Sequence, residues 1–114
     1  MSIDPLARIS RDARIGAGVS IGPFSVIEAG AVIGDGCKIS ARVTIKSGVR
    51  LGKDNVVEDN AVLGGRPQHL QRIENPGTVE IGDRNVIREN VTIHRAMKPE
   101  AKTTIGNDCL LMVG

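Results

Sequence analysis

Two histidines, His69 and His94, and two cysteines, Cys37 and Cys109, are the side chains best suited to act here as bases, nucleophiles or soft metal ligands. Either ring nitrogen of a histidine can hydrogen-bond, so binding and orienting roles are weighed for both. They stand in different settings. His69 follows Gln68 in a stretch that runs from Gly64-Gly65-Arg66-Pro67 to Asn75-Pro76-Gly77-Thr78, with Gly and Pro at both ends. His94 directly follows Ile93, at the shoulder of an apolar position. A catalytic zinc takes three protein ligands, and two histidines with no Cys-x-x-Cys pair make no such set. No metal and no other cofactor is expected. The cysteines read as buried thiols rather than as a disulfide or metal site. Gly16-Ala17-Gly18 and Gly34-Asp35-Gly36 look like phosphate loops, but no helix follows either, so they read as turns.

The elements that must position these residues follow from a repeat. Counting in sixes from Ile3 gives Ile9, Ile15, Ile21, Ile27, Ile33, Ile39, Ile45, Leu51, Val57 and Leu63 without a miss. Ile, Leu and Val make up roughly a quarter of the chain, so such a run has a chance probability on the order of one in a million. Two residues before these positions stand mostly small or medium side chains: Ala7, Ala13, Val19, Ser25, Ala31, Cys37, Val43, Val49, Asn55 and Ala61. A spacing of two puts both on one side of a short strand. Three residues after the aliphatic stands a turn former in many repeats: Asp12, Gly18, Gly30, Gly36, Gly48, Asp54 and Asn60. These types tolerate the left-handed backbone of a sharp corner. Each hexad is therefore one short strand and one corner.

A period of six fits neither an amphipathic helix nor a hairpin meander, and it matches the hexapeptide β-helix. The fold class is all-β, a parallel β-helix of about five coils, with no helix expected in residues 3–63. One coil cannot bury its own inward face, whereas stacked coils share a continuous aliphatic column. Composition agrees. With 1% aromatic residues, Phe24 alone, the core is filled by Ile, Leu, Val and Ala. Fourteen glycines supply tight turns.

The repeat is interrupted twice, after Leu63 and after Ile93, and resumes in phase at Ile81 and at Ile105. The two gaps, Gly64 to Thr78 and Arg95 to Thr103, read as loop insertions leaving a corner, where solenoids often carry function. The final Leu110-Leu111-Met112-Val113-Gly114 falls inside a repeat with no capping element, so residues 1–114 are expected to be one domain forming the N-terminal part of a longer protein. A net charge of +2 without a basic block, and no aromatic surface for base stacking, argue against nucleic acid binding. No segment resembles a signal peptide or reaches membrane-spanning length, so no membrane insertion and a cytoplasmic location are expected.

The stretch Val79-Glu80-Ile81-Gly82-Asp83-Arg84-Asn85-Val86-Ile87-Arg88-Glu89-Asn90-Val91-Thr92-Ile93-His94-Arg95 resembles the signature of the UDP-N-acetylglucosamine O-acyltransferases of lipid A biosynthesis. Ile3-Asp4-Pro5, Ile21-Gly22-Pro23-Phe24, Gln68-His69-Leu70 and Asn107-Asp108-Cys109-Leu110-Leu111-Met112 extend the likeness over the whole chain. The resemblance implies a left-handed β-helix, a homotrimer, and active sites between neighbouring subunits. It implies transfer of a 3-hydroxyacyl group from acyl carrier protein to the 3-hydroxyl, or a 3-amino group, of UDP-N-acetylglucosamine, the first step of lipid A biosynthesis.

In that family a histidine serves as general base and backbone donors stabilise the oxyanion. The base belongs to a coil beyond Gly114, so the resemblance leaves no catalytic residue in this chain and implies that the chain alone is inactive. Gln68 matches a loop position that contacts the sugar nucleotide. His69 stands where the family typically has a sugar-binding aspartate, and Gln71 where it often has a lysine. A neutral histidine still accepts a hydrogen bond but supplies no fixed negative charge. His94 matches a histidine beside an inward Ile and reads as an orienting or structural residue. The alternatives are another hexapeptide-repeat acyl- or acetyltransferase and a non-catalytic solenoid fragment. A γ-type carbonic anhydrase on the same fold would need three zinc-binding histidines, and only two are present.

Overall fold

The strands and corners read from the hexads are present in a computed structural model of the chain, which describes residues 2–66 and 76–113. Every regular element among these residues is a strand of two to four residues, and none is a helix. Each strand contains one aliphatic of the six-residue series, from Ser2–Ile3 and Arg8–Ile9 to Leu110–Leu111. The strands form three parallel sheets, and consecutive strands pass from one sheet to the next in rotation. One coil therefore contributes a strand to each side of a triangular prism, wound left-handed. Parallel crossovers are nearly always right-handed because twisted strands feed them. Two-residue strands carry little twist to impose that hand.

Register ties the coils together. In the first sheet Ile3 pairs with Ile21, Ile21 with Ile39 and Ile39 with Val57, a coil of eighteen residues each time. Val57 then pairs with Ile87, thirty residues on, and Ile87 with Leu111, twenty-four on. The insertions thus add twelve and six residues, two hexads and one, and the aliphatic columns pass them without a shift. The other sheets stack Ile9, Ile27, Ile45, Leu63 and Ile93, and Ile15, Ile33, Leu51, Ile81 and Ile105. Ile27, Ile33, Ile45, Leu51, Leu63 and Ile87 are almost completely buried. Burying each such side chain is worth about 1.5–3 kcal/mol.

A second inward column is polar. Asn55 Nδ2 donates to the Gly82 carbonyl at 2.7 Å, and Asn55 Oδ1 accepts from the Asn85 N–H at 2.9 Å. Asn85 repeats this one coil on, with Gly106 at 2.8 Å and the Cys109 N–H at 2.8 Å. Cys37 stands below them, with Sγ 3.1 Å from the Gly52 carbonyl, and burial raises its thiol pKa. It packs, as expected. Cys109 does not follow that expectation: it is exposed, because it occupies the same column in the last coil and no described strand lies above it.

The corners depart from the sequence reading in composition. Gly18, Gly30, Gly36, Gly48, Asp54 and Asn60 have positive φ as expected, but Asp12 does not. Phe24, Arg42, Arg84, Asn90 and Asp108 take the same left-handed conformation at the equivalent corner. Non-glycine residues are held there by the coil beneath: the Phe24, Arg42 and Arg84 N–H groups donate to the Leu6, Pro23 and Lys53 carbonyls at 3.2, 2.9 and 2.9 Å. Among the described residues no coil lies beneath Asp12, and its N–H donates to Ser10 Oγ at 3.2 Å instead. At the adjoining position, one after the aliphatic of the third sheet, glycine is required for space. A Cβ on Gly34 or Gly52 would strike the Gly52 or Gly82 carbonyl of the next coil.

Truncating Ile45, fully buried in mid-stack, to Ala is expected to lower the stability to denaturant by about 2–5 kcal/mol. Asn55→Ala is expected to cost about 1–3 kcal/mol, because it orphans the Asn85 N–H and the Gly82 carbonyl. Arg84 grips Asp108 with Nε–Oδ1 2.8 Å and Nη2–Oδ2 3.2 Å, which holds that exposed carboxyl below its ordinary value of 3.8. A depressed carboxyl contributes at pH above its unfolded value and loses that contribution as pH falls through the folded one. Protection of the Asp108 amide, with the intrinsic exchange rate divided out, should therefore fall as pH drops below about 3.8, and Asp108→Asn should remove that step.

Candidate functional site

Both insertions leave the prism at the corner between the second and third sheets, in successive coils. The first is bounded by the strands Val62–Gly65 and Thr78–Ile81, the second by Thr92–His94 and Lys102–Ile105. The strand Val62–Gly65 takes in the first two residues of the first gap, Thr78–Ile81 its last residue, and Lys102–Ile105 the last two of the second. The insertions proper are shorter than the gaps in the hexads. Thr78 through Ile81 pairs residue by residue with Lys102 through Ile105, so the returning limbs lie side by side. The departing limbs pair as well, with an irregularity that sets Gly65 opposite His94.

Local chemistry explains the exit. Gly64 is buried with φ 88°, and a Cβ there would collide with Val49. Only glycine takes that backbone without cost. A Cβ on Gly65 would stand 3.0 Å from Cδ2 of His94, so the second glycine makes room for the imidazole. His94 is half-buried against this exit, and its carbonyl accepts from Thr103 Oγ1 at 2.8 Å. The imidazole thus stands against the exit of the first insertion. Gln68 and His69 lie outside the described residues.

Arg95, the last residue of the signature stretch, makes the densest set of bonds at this corner among the described residues. Its N–H donates to the Gly65 carbonyl at 2.8 Å, Nε to the Gly77 carbonyl at 2.6 Å and Nη2 to the Pro76 carbonyl at 2.9 Å. The returning limb is also tied directly, Gly77 N–H to the Ala96 carbonyl at 2.6 Å and Thr78 N–H to the Ala101 carbonyl at 3.2 Å. Beside this corner, along the third sheet, lies a cavity of about 160 Å³ lined by Gly30, Val32, Gly48, Arg50, Thr78 and Glu80, among others. Lys102 Nζ stands 3.2 Å from Glu80 Oε1 at the outer face. An arginine that follows a histidine at the mouth of an insertion, with a Gly-Gly and a Pro-Gly at the other insertion's feet, is the sequence signal that points here. Among the described residues no three His, Cys, Asp or Glu side chains gather as metal ligands, and no helix is long and apolar enough to cross a membrane.

Residues 30–65 match the family described as bacterial transferase hexapeptide (six repeats), and residues 11–47 the hexapeptide repeat of succinyl-transferase. Among solved structures, a UDP-N-acetylglucosamine acyltransferase from Bacteroides fragilis is 46% identical with a TM-score of 0.92, covering 97% of this chain and 44% of its own. The corresponding protein from Acinetobacter baumannii is 35% identical with a TM-score of 0.90, over 98% of this chain and 44% of its own. That from Francisella novicida is 35% identical with a TM-score of 0.90, over 96% and 41%. A curated relative, the UDP-3-O-acylglucosamine N-acyltransferase of Leptothrix cholodnii, is 52% identical over 40 residues, 35% of this chain and 12% of that protein. The chain spans less than half the length of each of these relatives. Over nearly its whole length the chain is therefore similar in sequence and fold to UDP-N-acetylglucosamine acyltransferases, and it carries the bacterial transferase hexapeptide repeat.

Proposed function

We propose that this chain supplies the N-terminal coils and the sugar-nucleotide loop of an enzyme that transfers a 3-hydroxyacyl group from acyl carrier protein to UDP-N-acetylglucosamine. The observation that carries the reading is the corner where both insertions leave in register, on a scaffold 46% identical to a UDP-N-acetylglucosamine acyltransferase. Binding residues concentrate on loops that a rigid frame positions. In the reaction the 3-oxygen of the sugar, or a 3-nitrogen, bonds to the thioester carbonyl carbon and the carbon–sulfur bond breaks. A general base takes the proton from the nucleophile and returns it to the departing thiolate. That base is assigned to a coil following Leu111, and the working unit to a homotrimer in the cytoplasm.

Within this chain Gln68 is assigned a hydrogen bond to the sugar nucleotide, and His69 the variable contact that tunes the choice between 3-hydroxyl and 3-amino sugars. His94 holds the corner against Gly65. The curated N-acyltransferase shares only a 40-residue stretch, and hexads are common to many transferases, so that match does not shift the choice of acceptor.

Residues 1–114 alone, supplied with acyl carrier protein thioester and UDP-N-acetylglucosamine, are expected to show no turnover; clear turnover would place the base within this chain. In the full-length enzyme Gln68→Ala is expected to lower kcat/KM for the sugar nucleotide roughly 5–150-fold, the loss of a hydrogen bond of about 1–3 kcal/mol. His69→Asp is expected to leave use of UDP-N-acetylglucosamine intact or to shift preference between 3-hydroxyl and 3-amino acceptors. If both variants keep the parent kcat and KM, the loop is not the sugar site.

A further inference from the structure

We infer that Arg95 is the positioning residue of the sugar-nucleotide loop, the clasp through which the second insertion fixes both feet of the first. The inference rests on the reading of that loop as the sugar site. Three observations meet at this side chain. Its main chain holds the departing foot, through the bond from its N–H to the Gly65 carbonyl at 2.8 Å. Its guanidinium holds the returning foot, through Nε to the Gly77 carbonyl at 2.6 Å and Nη2 to the Pro76 carbonyl at 2.9 Å. The residue after it adds the bond from Gly77 N–H to the Ala96 carbonyl at 2.6 Å. Residues 95 and 96 therefore bind both ends of an excursion that begins and ends ten residues earlier or more.

The surroundings are shaped for this guanidinium. Gly48, with φ 86°, lies under it, and a Cβ there would stand 3.0 Å from Nε and 3.3 Å from Nη2. Gly77 is buried, and a Cβ on it would strike the Ala101 and Lys98 carbonyls of the second insertion. Gly48 leaves room for the fork, and Gly77 lets the returning limb lie close against the second insertion. Two neighbouring carbonyls demand two donors in a fixed plane, which arginine has and lysine lacks. Charged donors to carbonyls are the stronger kind of hydrogen bond. Fixing both feet lowers the entropic cost of placing the residues between them against a ligand. Arg95 spends its observed bonds on the backbone rather than on a ligand, so its effect falls on affinity for the sugar nucleotide and not on the chemical step.

The test compares Arg95→Ala and Arg95→Lys in the full-length enzyme, each with and without Gln68→Ala. Arg95→Ala is expected to raise KM for UDP-N-acetylglucosamine about tenfold, with kcat within about twofold and KM for the acyl carrier protein substrate unchanged. Arg95→Lys, the milder change should alanine weaken folding, is expected to give a smaller rise in the same constant. Amide exchange should quicken at Gly77 and Thr78 while Val62 and Val86 keep parent protection. In the Gln68→Ala background the Arg95→Ala effect should shrink, because both act through one loop. If Gln68→Ala raises KM and neither Arg95 variant does, the clasp is overturned and the sugar-loop reading stands. If Gln68→Ala has no effect while Arg95 variants raise both KM and Gly77 exchange, the clasp stands and the assigned sugar contact is wrong. Unchanged exchange at Gly77 in both Arg95 variants overturns the clasp outright.

Discussion

Every coil must set its inward aliphatic directly over that of the coil before it, and the architecture follows from this requirement. The backbone bonds between coils and the burial of Ile, Leu and Val are satisfied together only in one register. A slip by one residue would turn the inward face outward. The insertions obey the same condition. They lengthen two coils to thirty and twenty-four residues, whole numbers of hexads, and Val57, Ile87 and Leu111 remain in one column. The Asn55–Asn85 ladder acts in the same direction. Each amide reaches the next coil with both its donor and its acceptor, so a coil out of register would leave buried polar atoms unpaired.

A stack held so uniformly has little variety on its faces, and its chemistry has to be carried by what leaves it. Both departures occur at one corner, one coil apart, where they brace each other. The scaffold contributes the paired strand extensions that start and end each insertion. The insertions contribute the cross-bonds through Arg95, Ala96 and Ala101. The chain is thereby divided between a uniform lattice and a local joint. The left-handed corners, the buried amides and the tight glycine column serve the lattice. Gly64, Gly65, Gly77, His94 and Arg95 serve the joint.

The lattice was legible because it repeats: eleven aliphatics at one spacing leave little choice of fold, and the corner glycines mark its turns. What escaped has no local signature. Phe24, Arg42 and Arg84 take left-handed backbone because the neighbouring coil pins their N–H groups, a tertiary cause that overrides residue preference. Asp12 has a suitable side chain but, among the described residues, no coil beneath it. Asn55 occupied a recognisable inward position, yet its ladder with Asn85 spans an insertion and shows only when the coils are stacked. Cys109 shares the inward phase of Cys37 but lies in the last coil, so phase alone misjudged its exposure. At the joint, His94 stands out by its type, whereas the bonds of Arg95 show only once the returning limb is set beside it.

The account rests on the independence of lattice and insertion, and deletion of residues 66–77 tests it most directly. That change would leave Leu63 and Ile81 one hexad apart, as consecutive aliphatics are in the uninterrupted hexads from Ile3 to Leu63. Amide exchange at Val62, Val79 and Val86, whose N–H groups donate across the coils, reports whether the stack closes. The account predicts protection at all three close to that of the parent, and loss of it when eleven residues are removed instead of twelve. Equal loss of protection in both deletions would contradict it, since the first insertion would then be part of what holds the coils together.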